Sequence, residues 1–548
     1  MLENHPYEVI GNHPFTCWEG VNHSKLHLVH TMAEWKAFFA LLNEQQLVAC
    51  DTETTGFQWY NGDRIIGLSF GWKTDHFYVP LRHVDSLQET QPTQLNIDFI
   101  KKDLRVFFSD PNRVTVWQNG KFDQHFYARE GIQIRTKMHD TRILWQLFDE
   151  NAPGALKTIA SGWKDDLGRW HKGLVDKDAN LLEKTISTWR GKEASLRREN
   201  FRKRVMSLAD EYETRVEFQH LKRNDLKKYI AENVLNNDTL AKSSKEDIHY
   251  GYVPIWLMCQ YAALDTFLTY RLYEFCVKNI QWTPQLSSLY RNELSLAQCL
   301  FEAEEHGVRI DRDYLIEVGK QYDQEIAALE AQIKEDLGDI NLNSVQQLTE
   351  ALLKVGVKLS KYTESSKDLP DEEKKFALDK AVLSKVKGQH RSVQALLKLR
   401  ELQKLKSTYV DAILSKLTPE GILHCSFNQN VSTGRMSSYD PNLQNIPARD
   451  KVIRRAFIPL SDEFLYVFAD YSQIEVRLTA HFSQDPLLLD AYAKNQDIHT
   501  RTFCEMFNLP IDEVSKVLKD ENHPKYLEYS LLRGVAKRIN FGIIYGVG

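Results

Sequence analysis

Three observations on the 548-residue sequence predict an α/β layered domain, then a mostly helical region, then a second region of mixed strands and helices. Between about residues 25 and 150, short apolar runs (HLVH, QLVAC, IIGLSFGW, HFYVPL, VTVWQN) alternate with helical segments such as TMAEWKAFFALLNEQ. From 285 to 418 the pattern turns helical in ALEAQIKEDL and SVQALLKLRELQKLKSTYVDAILSKL, broken by the polar loop KYTESSKDLPDEEKK. After about residue 420 the mixture resumes at HCSFNQN. Within the first domain, at about 165 to 250, a charged stretch with few Gly or Pro and helically spaced apolar residues reads as solvated amphipathic helices.

Length and a hydrophobic content of 42% allow three or four domains of about 100 to 200 residues each. A net charge of -5 excludes a uniformly basic coat but leaves room for a local basic cleft, so nucleic acid stays among the candidate partners. Cys17, Cys50, Cys259, Cys276, Cys299, Cys425 and Cys504 form no CxxC pair, which signals neither a zinc site nor a disulfide framework and points to a reducing compartment. The N-terminus has no signal-peptide core, and no run approaches about 18 apolar residues. The expectation is a cytoplasmic, non-membrane protein.

Carboxylates carry the chemistry of the first part. VACDTETTGF reads as a buried strand running into a turn. Asp51 and Glu53, two apart, share a face of it while Thr52 faces away. QNGKFDQHF puts Asp123 near the start of a helix, and QYAALDTFLTYRLY puts Tyr261 and Asp265 four apart on one helical face. Four hard oxygen ligands suit Mg²⁺ or Mn²⁺, and two such ions can activate water and stabilise the leaving oxygen in phosphodiester hydrolysis. Asp140 in KMHDTRIL reads as a helix N-cap, with a place behind the ligands as the alternative. These motifs, DxE, an Nx3D-type segment from Asn119 to Asp123, and Yx3D, resemble the tyrosine subclass of the DEDD 3'-5' exonucleases. The resemblance implies that Asp51, Glu53, Asp123 and Asp265 bind two metal ions and that Tyr261 assists the nucleophile.

In the second half, NVSTGRMSSYDPNLQNIPAR is rich in turn residues and in side chains able to bond phosphates, sugars or base edges. LYVFAD reads as a β-strand delivering Asp470 to its end, followed by a helix start through Ser472 and Glu475. Near the end, Arg533, Lys537, Phe541 and Tyr545 recur every four residues along one helical stripe. Two cations followed by two aromatics can grip a triphosphate and stack on a base and sugar.

TGRMSSYDPNLQNIP, DYSQIEVR and RGVAKRINFGIIYG resemble three signature segments of the family A DNA polymerases, the bacterial polymerase I type. The resemblance covers nearly the whole chain. It implies a ribonuclease H-like α/β exonuclease domain at 1–280 with the charged insertion inside it, a helical thumb at 281–430, and an incomplete α+β palm and fingers of a right-hand polymerase at 431–548. Asp470 would bind two metal ions. Glu475 would exclude a 2'-hydroxyl, against the plainer reading of an acid favoured by a helix dipole. His499, Arg533 and Lys537 would hold the triphosphate, Phe541 and Tyr545 the base and sugar. Arg435, Gln444 and Asn445 would touch the minor groove and primer end, and Arg400 and Lys404 the duplex backbone.

The implied partners are primer-template DNA and deoxynucleoside triphosphates. The family's second palm carboxylate, on a His-Asp-Glu hairpin, is not in this sequence, so the expectation includes a C-terminal polypeptide that carries it, with an incomplete record as the equal alternative. No 5' nuclease domain is seen, which by analogy suggests a phage-type enzyme. Three other readings compete: a stand-alone metal-dependent exonuclease, a single-subunit RNA polymerase and a catalytically silent scaffold. The stripe and Glu475 disfavour the first as an origin, the proofreading motifs and Glu475 the second, and the intact acidic motifs the third.

Overall fold

A strand buried on both faces belongs at the centre of a sheet, because successive side chains point to opposite sides and both must find apolar neighbours. The computed structural model describes residues 9–10, 15–84, 93–151, 153–164, 169–175, 179–218, 220–235, 244–366, 369–370, 374–431, 433–447 and 451–546. It divides into two units, Met1–Leu460 and Ser461–Gly548.

In the first unit, β1 (Val9–Ile10), β2 (Thr16–Glu19), β3 (Lys25–Leu28), β4 (Leu47–Thr54), β5 (Ile65–Trp72), β6 (Asp75–Pro80), β7 (Val114–Trp117) and β8 (Lys137–Asp140) share one sheet in the order β1-β2-β3-β6-β5-β4-β7-β8. β4 lies inside it, antiparallel to β5 and parallel to β7, and its register slips by a bulge between Glu53 and Thr54. Bulges of this kind re-aim side chains beside functional sites.

Helices cover both faces. On one lie α1 (Met32–Asn43), α2 (Ile97–Ser109) and α3 (Gly120–Arg129), which bury Trp35, Phe38, Leu104, Phe107, Phe108 and Tyr127 against Phe70 and Trp117. Each such side chain contributes about 1.5–3 kcal/mol. α1 begins where a capping box of Thr31 and Glu34 satisfies its first amides. α4 (Thr141–Phe148), α5 (Leu156–Ser161), α6 (Leu181–Tyr212), α7 (Arg223–Tyr229) and α8 (Ile255–Asn279) follow. α8 covers the other face, packing Leu257, Ala262, Leu264 and Leu268 against Leu26 and Tyr78. β6 shows the alternation: Phe77 and Val79 enter the first core, Tyr78 the second.

The charged insertion is helical, as its spacing predicts. Along α6 the buried residues are Leu182, Ile186, Ala194, Phe201, Val205 and Ala209. Leu182 and Ile186 join the core under α8, and Ala209 joins Leu226 and Ile230 in a small separate core. α9 (Pro284–His306), α10 (Arg312–Leu337), α11 (Val345–Lys354), α12 (Lys380–Val386) and α13 (Arg391–Leu405) build the helical region, α13 running on through a π-helical turn at Lys406–Asp411. Leu315, Val318, Leu402 and Val410 centre one of its cores, and Leu348, Leu352, Leu383 and Leu396 another.

The second unit contains α14 (Ile474–Ser483), α15 (Pro486–Ala493), α16 (Ile498–Phe507), α17 (Ile511–Val517) and α18 (Tyr526–Ile544). One sequence expectation fails in it. LYVFAD is not a strand: residues 461–470 carry no regular structure and are exposed throughout. An apolar run becomes a strand only by pairing, and among the described residues no strand pairs with it. On α18, Ile544 packs with Val476, Ala491 and Ile498, while Ile539 and Ile543 stay exposed.

Candidate functional site

β4 brings Asp51 and Glu53 to one face, and α8 crosses that face with Asp265. Ligand oxygens of these three carboxylates lie within 4.8 Å of one another. Burial pushes the Asp51 carboxyl well above its ordinary range, helped by Asp123, Glu53 and Asp265. It raises Glu53 as well, with Asp265 adding to it, and it raises Asp265 against the pull of Lys157. Crowded acids out of water are costly unless a cation joins them. The Oδ1 atom of Asp265 is buried without a partner. This donor set fits a hard divalent cation.

Asp123 stands beside the cluster rather than in it. Its Oδ1 accepts from the Thr52 amide at 2.9 Å and the Thr52 hydroxyl at 2.6 Å. Burial raises its carboxyl to about 7, even though the Thr52 bonds oppose the rise. Thr52 faces away from Asp51 and Glu53, as alternation requires, and in doing so fixes a third acid. α3 starts at Asn119, whose φ of 65° is a left-handed conformation that asparagine tolerates. Asp140 accepts from the amides of Asn119 (3.2 Å) and Gly120 (2.8 Å) while capping α4 through Arg142 and Ile143. Both readings of Asp140 therefore hold: it caps one helix and steadies the helix that bears Asp123. From behind, the buried carboxylate of Glu304 on α9 takes Lys121 and His125 of α3.

Tyr261 lies one turn before Asp265, buried and edge-on to Tyr250 at 5.7 Å between ring centroids. The Lys157 ammonium sits 3.6 Å above its ring and 2.9 Å from Asp265 Oδ2. Sequence reasoning missed Lys157, because a lysine in the short segment LKTIAS looks like any solvated helical lysine. It also missed Phe57, which is 80% exposed just past the carboxylate strand with its ring 6.0 Å from Phe122. An exposed phenylalanine after DTETTG was the available signal. Such a ring offers a stacking platform to an unpaired base.

In the second unit the predicted stripe on α18 forms. Arg533 Nε donates to Asp497 Oδ2 at 2.9 Å and to Thr500 Oγ1 at 3.1 Å. Burial pushes Asp497 up, but Arg533 and Thr500 more than offset it and leave the carboxyl at about 2. Lys537 Nζ lies 5.9 Å from the Phe541 ring, which stacks with Tyr545 at 6.3 Å. The Tyr545 hydroxyl donates to Glu475 Oε1 at 3.1 Å. Glu475 thus sits in the first turn of α14, as the plainer reading has it, and also touches the aromatic end of the stripe. The His499 ring is 5.5 Å from Phe541, and His499 Nδ1 pairs with Asn540 at 3.1 Å. Asp470 ends the exposed segment that carries no regular structure.

The remaining predicted contacts lie in the first unit. Gln444 is engaged locally, its Oε1 accepting from the Ser438 amide and its Nε2 donating to Met436 O. The backbone carbonyl of Asn445 accepts from Tyr409, and Arg435 is exposed. Arg400 and Lys404 line a cavity of about 760 Å³ with Lys380 and Lys451. Arg400 also donates to the Leu378 carbonyl.

In chain order, the sheet with its three-carboxylate centre is followed by a long helical region and a helix with an ordered cation-aromatic stripe. The comparisons with known proteins follow the same order. Residues 26–164 match the family model of a 3'-5' exonuclease, and residues 312–548 that of DNA polymerase family A. DNA polymerase I of Synechocystis is 31% identical over 516 residues, covering 91% of this chain and 42% of the relative. That of Borreliella burgdorferi is 29% identical over 529 residues, covering 95% and 47%. The thermostable DNA polymerase I of Thermus aquaticus is 38% identical over 288 residues, covering 51% and 32%. The solved POL domain of Pol1 from M. smegmatis, in complex with DNA primer-template and dNTP, superposes with a TM-score of 0.59 at 21% identity, covering 95% of this chain and 71% of that one, a likeness of fold. The polymerase model matches less than half of this chain, and the chain spans less than half the length of the curated relatives it matches.

Proposed function

We propose that this protein is a DNA-directed DNA polymerase with a 3'-5' proofreading exonuclease. The observation that carries the reading is the convergence of Asp51, Glu53 and Asp265 within 4.8 Å beside Tyr261. In the exonuclease, these carboxylates and Asp123 hold the metal ions, and the Tyr261 hydroxyl orients the attacking water. Mg²⁺ or Mn²⁺, two ions per site, would activate that water and stabilise the leaving oxygen. Phe57 stacks on the terminal base of the single strand.

In the polymerase, Asp470 is a metal ligand, and Arg533, Lys537 and His499 bind the triphosphate of a deoxynucleotide. Phe541 and Tyr545 stack on its base and sugar. Glu475, held by Tyr545, closes the space a 2'-hydroxyl would need. Arg435, Gln444 and Asn445 touch the primer end and minor groove, and Arg400 and Lys404 the duplex backbone. The domain reading that goes with these roles is exonuclease to 280, thumb to 430, and palm and fingers beyond. The scattered cysteines support a cytoplasmic location, and among the described residues no helix is long and apolar enough to cross a membrane. Nothing in the comparisons supports a separate C-terminal polypeptide, and none is proposed.

A primer-template assay tests this. A labelled primer with Mg²⁺ and no deoxynucleotides is expected to shorten, and an Asp51→Ala, Glu53→Ala variant to lose that activity by about a thousandfold or more. Adding deoxynucleotides tests extension. Shortening that survives in the double variant would overturn the assignment of the centre, and shortening without extension would restrict this chain to the exonuclease.

A further inference from the structure

We propose that Lys157 is a resident cation of the exonuclease centre, which a metal ion must displace from Asp265. The inference rests on the exonuclease reading above and adds a residue that the carboxylate motifs do not contain.

Lys157 is the second residue of α5, and the fold brings it against α8, more than one hundred residues later. Its ammonium bonds Asp265 Oδ2 at 2.9 Å and lies 3.6 Å above the ring of Tyr261. Both side chains of the pair are nearly buried, at 11% and 14% exposure. The other oxygen of Asp265 is buried with no hydrogen-bond partner, and a ligand oxygen of Asp265 lies within 4.8 Å of one on Asp51 and one on Glu53. Three carboxylates thus share one ammonium, and that ammonium occupies one oxygen of the group into which a divalent ion fits.

Two charges on one carboxylate compete. A divalent ion entering between Asp51, Glu53 and Asp265 meets the repulsion of an ammonium hydrogen-bonded to Asp265, and it must push the lysine away from that residue. Lys157 therefore keeps the cluster neutral enough to fold without metal, and it raises the metal concentration needed to fill the site. The sign of one measurement separates this from an ordinary structural ion pair. Removing a structural partner loosens Asp265 and weakens metal binding, whereas removing a competitor strengthens it.

The test is Mn²⁺ binding by calorimetry to the full chain, comparing wild type with Lys157→Met, which keeps the apolar stem, and Lys157→Arg, which keeps the charge. Lys157→Met is expected to bind Mn²⁺ about tenfold more tightly, and Lys157→Arg to stay near wild type. Without metal, Lys157→Met melts at a lower temperature than wild type, and saturating Mn²⁺ removes the difference. In an Asp265→Asn background, Lys157→Met no longer changes the affinity. Unchanged or weaker Mn²⁺ binding by a Lys157→Met protein with wild-type circular dichroism overturns the inference and leaves the exonuclease reading intact. Wild type binding Mn²⁺ no better than Asp51→Ala, Glu53→Ala removes both.

Discussion

Thr52 lies between two carboxylates in sequence and serves a third in space. Its hydroxyl gives Asp123 a bond of 2.6 Å in a buried setting, and a hydrogen bond to a charged group there is worth about 1.5–3 kcal/mol. Thr52→Val keeps the shape and the backbone bond but removes the hydroxyl. The expected result is a fall of about tenfold or more in exonuclease kcat with KM for a single-stranded oligonucleotide little changed, since the residue positions an acid and does not touch DNA. A rise in KM at constant kcat would count against that role. Asp51 and Glu53 were legible in sequence because strand alternation is a local rule. Lys157 was not, because its meaning comes from Asp265, a partner that only the fold brings near.

Elements follow the same division between local and distant causes. β4, α3 and α8 were legible from apolar periodicity, and the helical insertion from its spacing. LYVFAD has strand composition, but among the described residues no strand pairs with it, and pairing is not written in the segment itself. The turn after β6 carries a less visible device. His83 is buried, with Nδ1 facing the Val253 carbonyl at 3.1 Å and Nε2 the Tyr78 hydroxyl at 2.7 Å. Burial pushes its pKa down from 6.5 to about 4. The unfolded chain therefore takes up a proton below about pH 6.5 that the native state refuses until about pH 4. Stability falls as pH falls through that window, by about 1.4 kcal/mol per pH unit from this group. His83→Gln cannot titrate. The difference in melting temperature between wild type and His83→Gln is expected to shift against wild type as pH drops from 6.5 to 4, and a difference independent of pH would refute the assignment.

At the scale of the whole molecule, the carboxylate centre and the cation-aromatic stripe belong to separate units, with Asp51, Glu53, Asp123 and Asp265 all in Met1–Leu460. Residues 461–470, which open the second unit, are exposed and belong to no helix or strand, with Leu465 at 87%, Val467 at 90% and Phe468 at 84% exposure. Proteases need an extended segment free of tertiary contacts, and exposed chain of this kind opens at almost no free-energy cost. Chymotrypsin favours aromatic and leucine residues, and Phe464, Leu465, Tyr466, Phe468 and Tyr471 supply them in a row. Brief digestion without DNA is expected to give a large fragment ending between 464 and 471, identified by mass. The proposed metal ligands, Tyr261, Lys157 and Glu304 all lie on that fragment, so Mg²⁺-dependent shortening of a single-stranded primer should persist in it at close to the intact rate. Early cleavage inside the sheet or α8, or a fragment that has lost the activity, would mean that the exonuclease centre depends on the second unit for its stability.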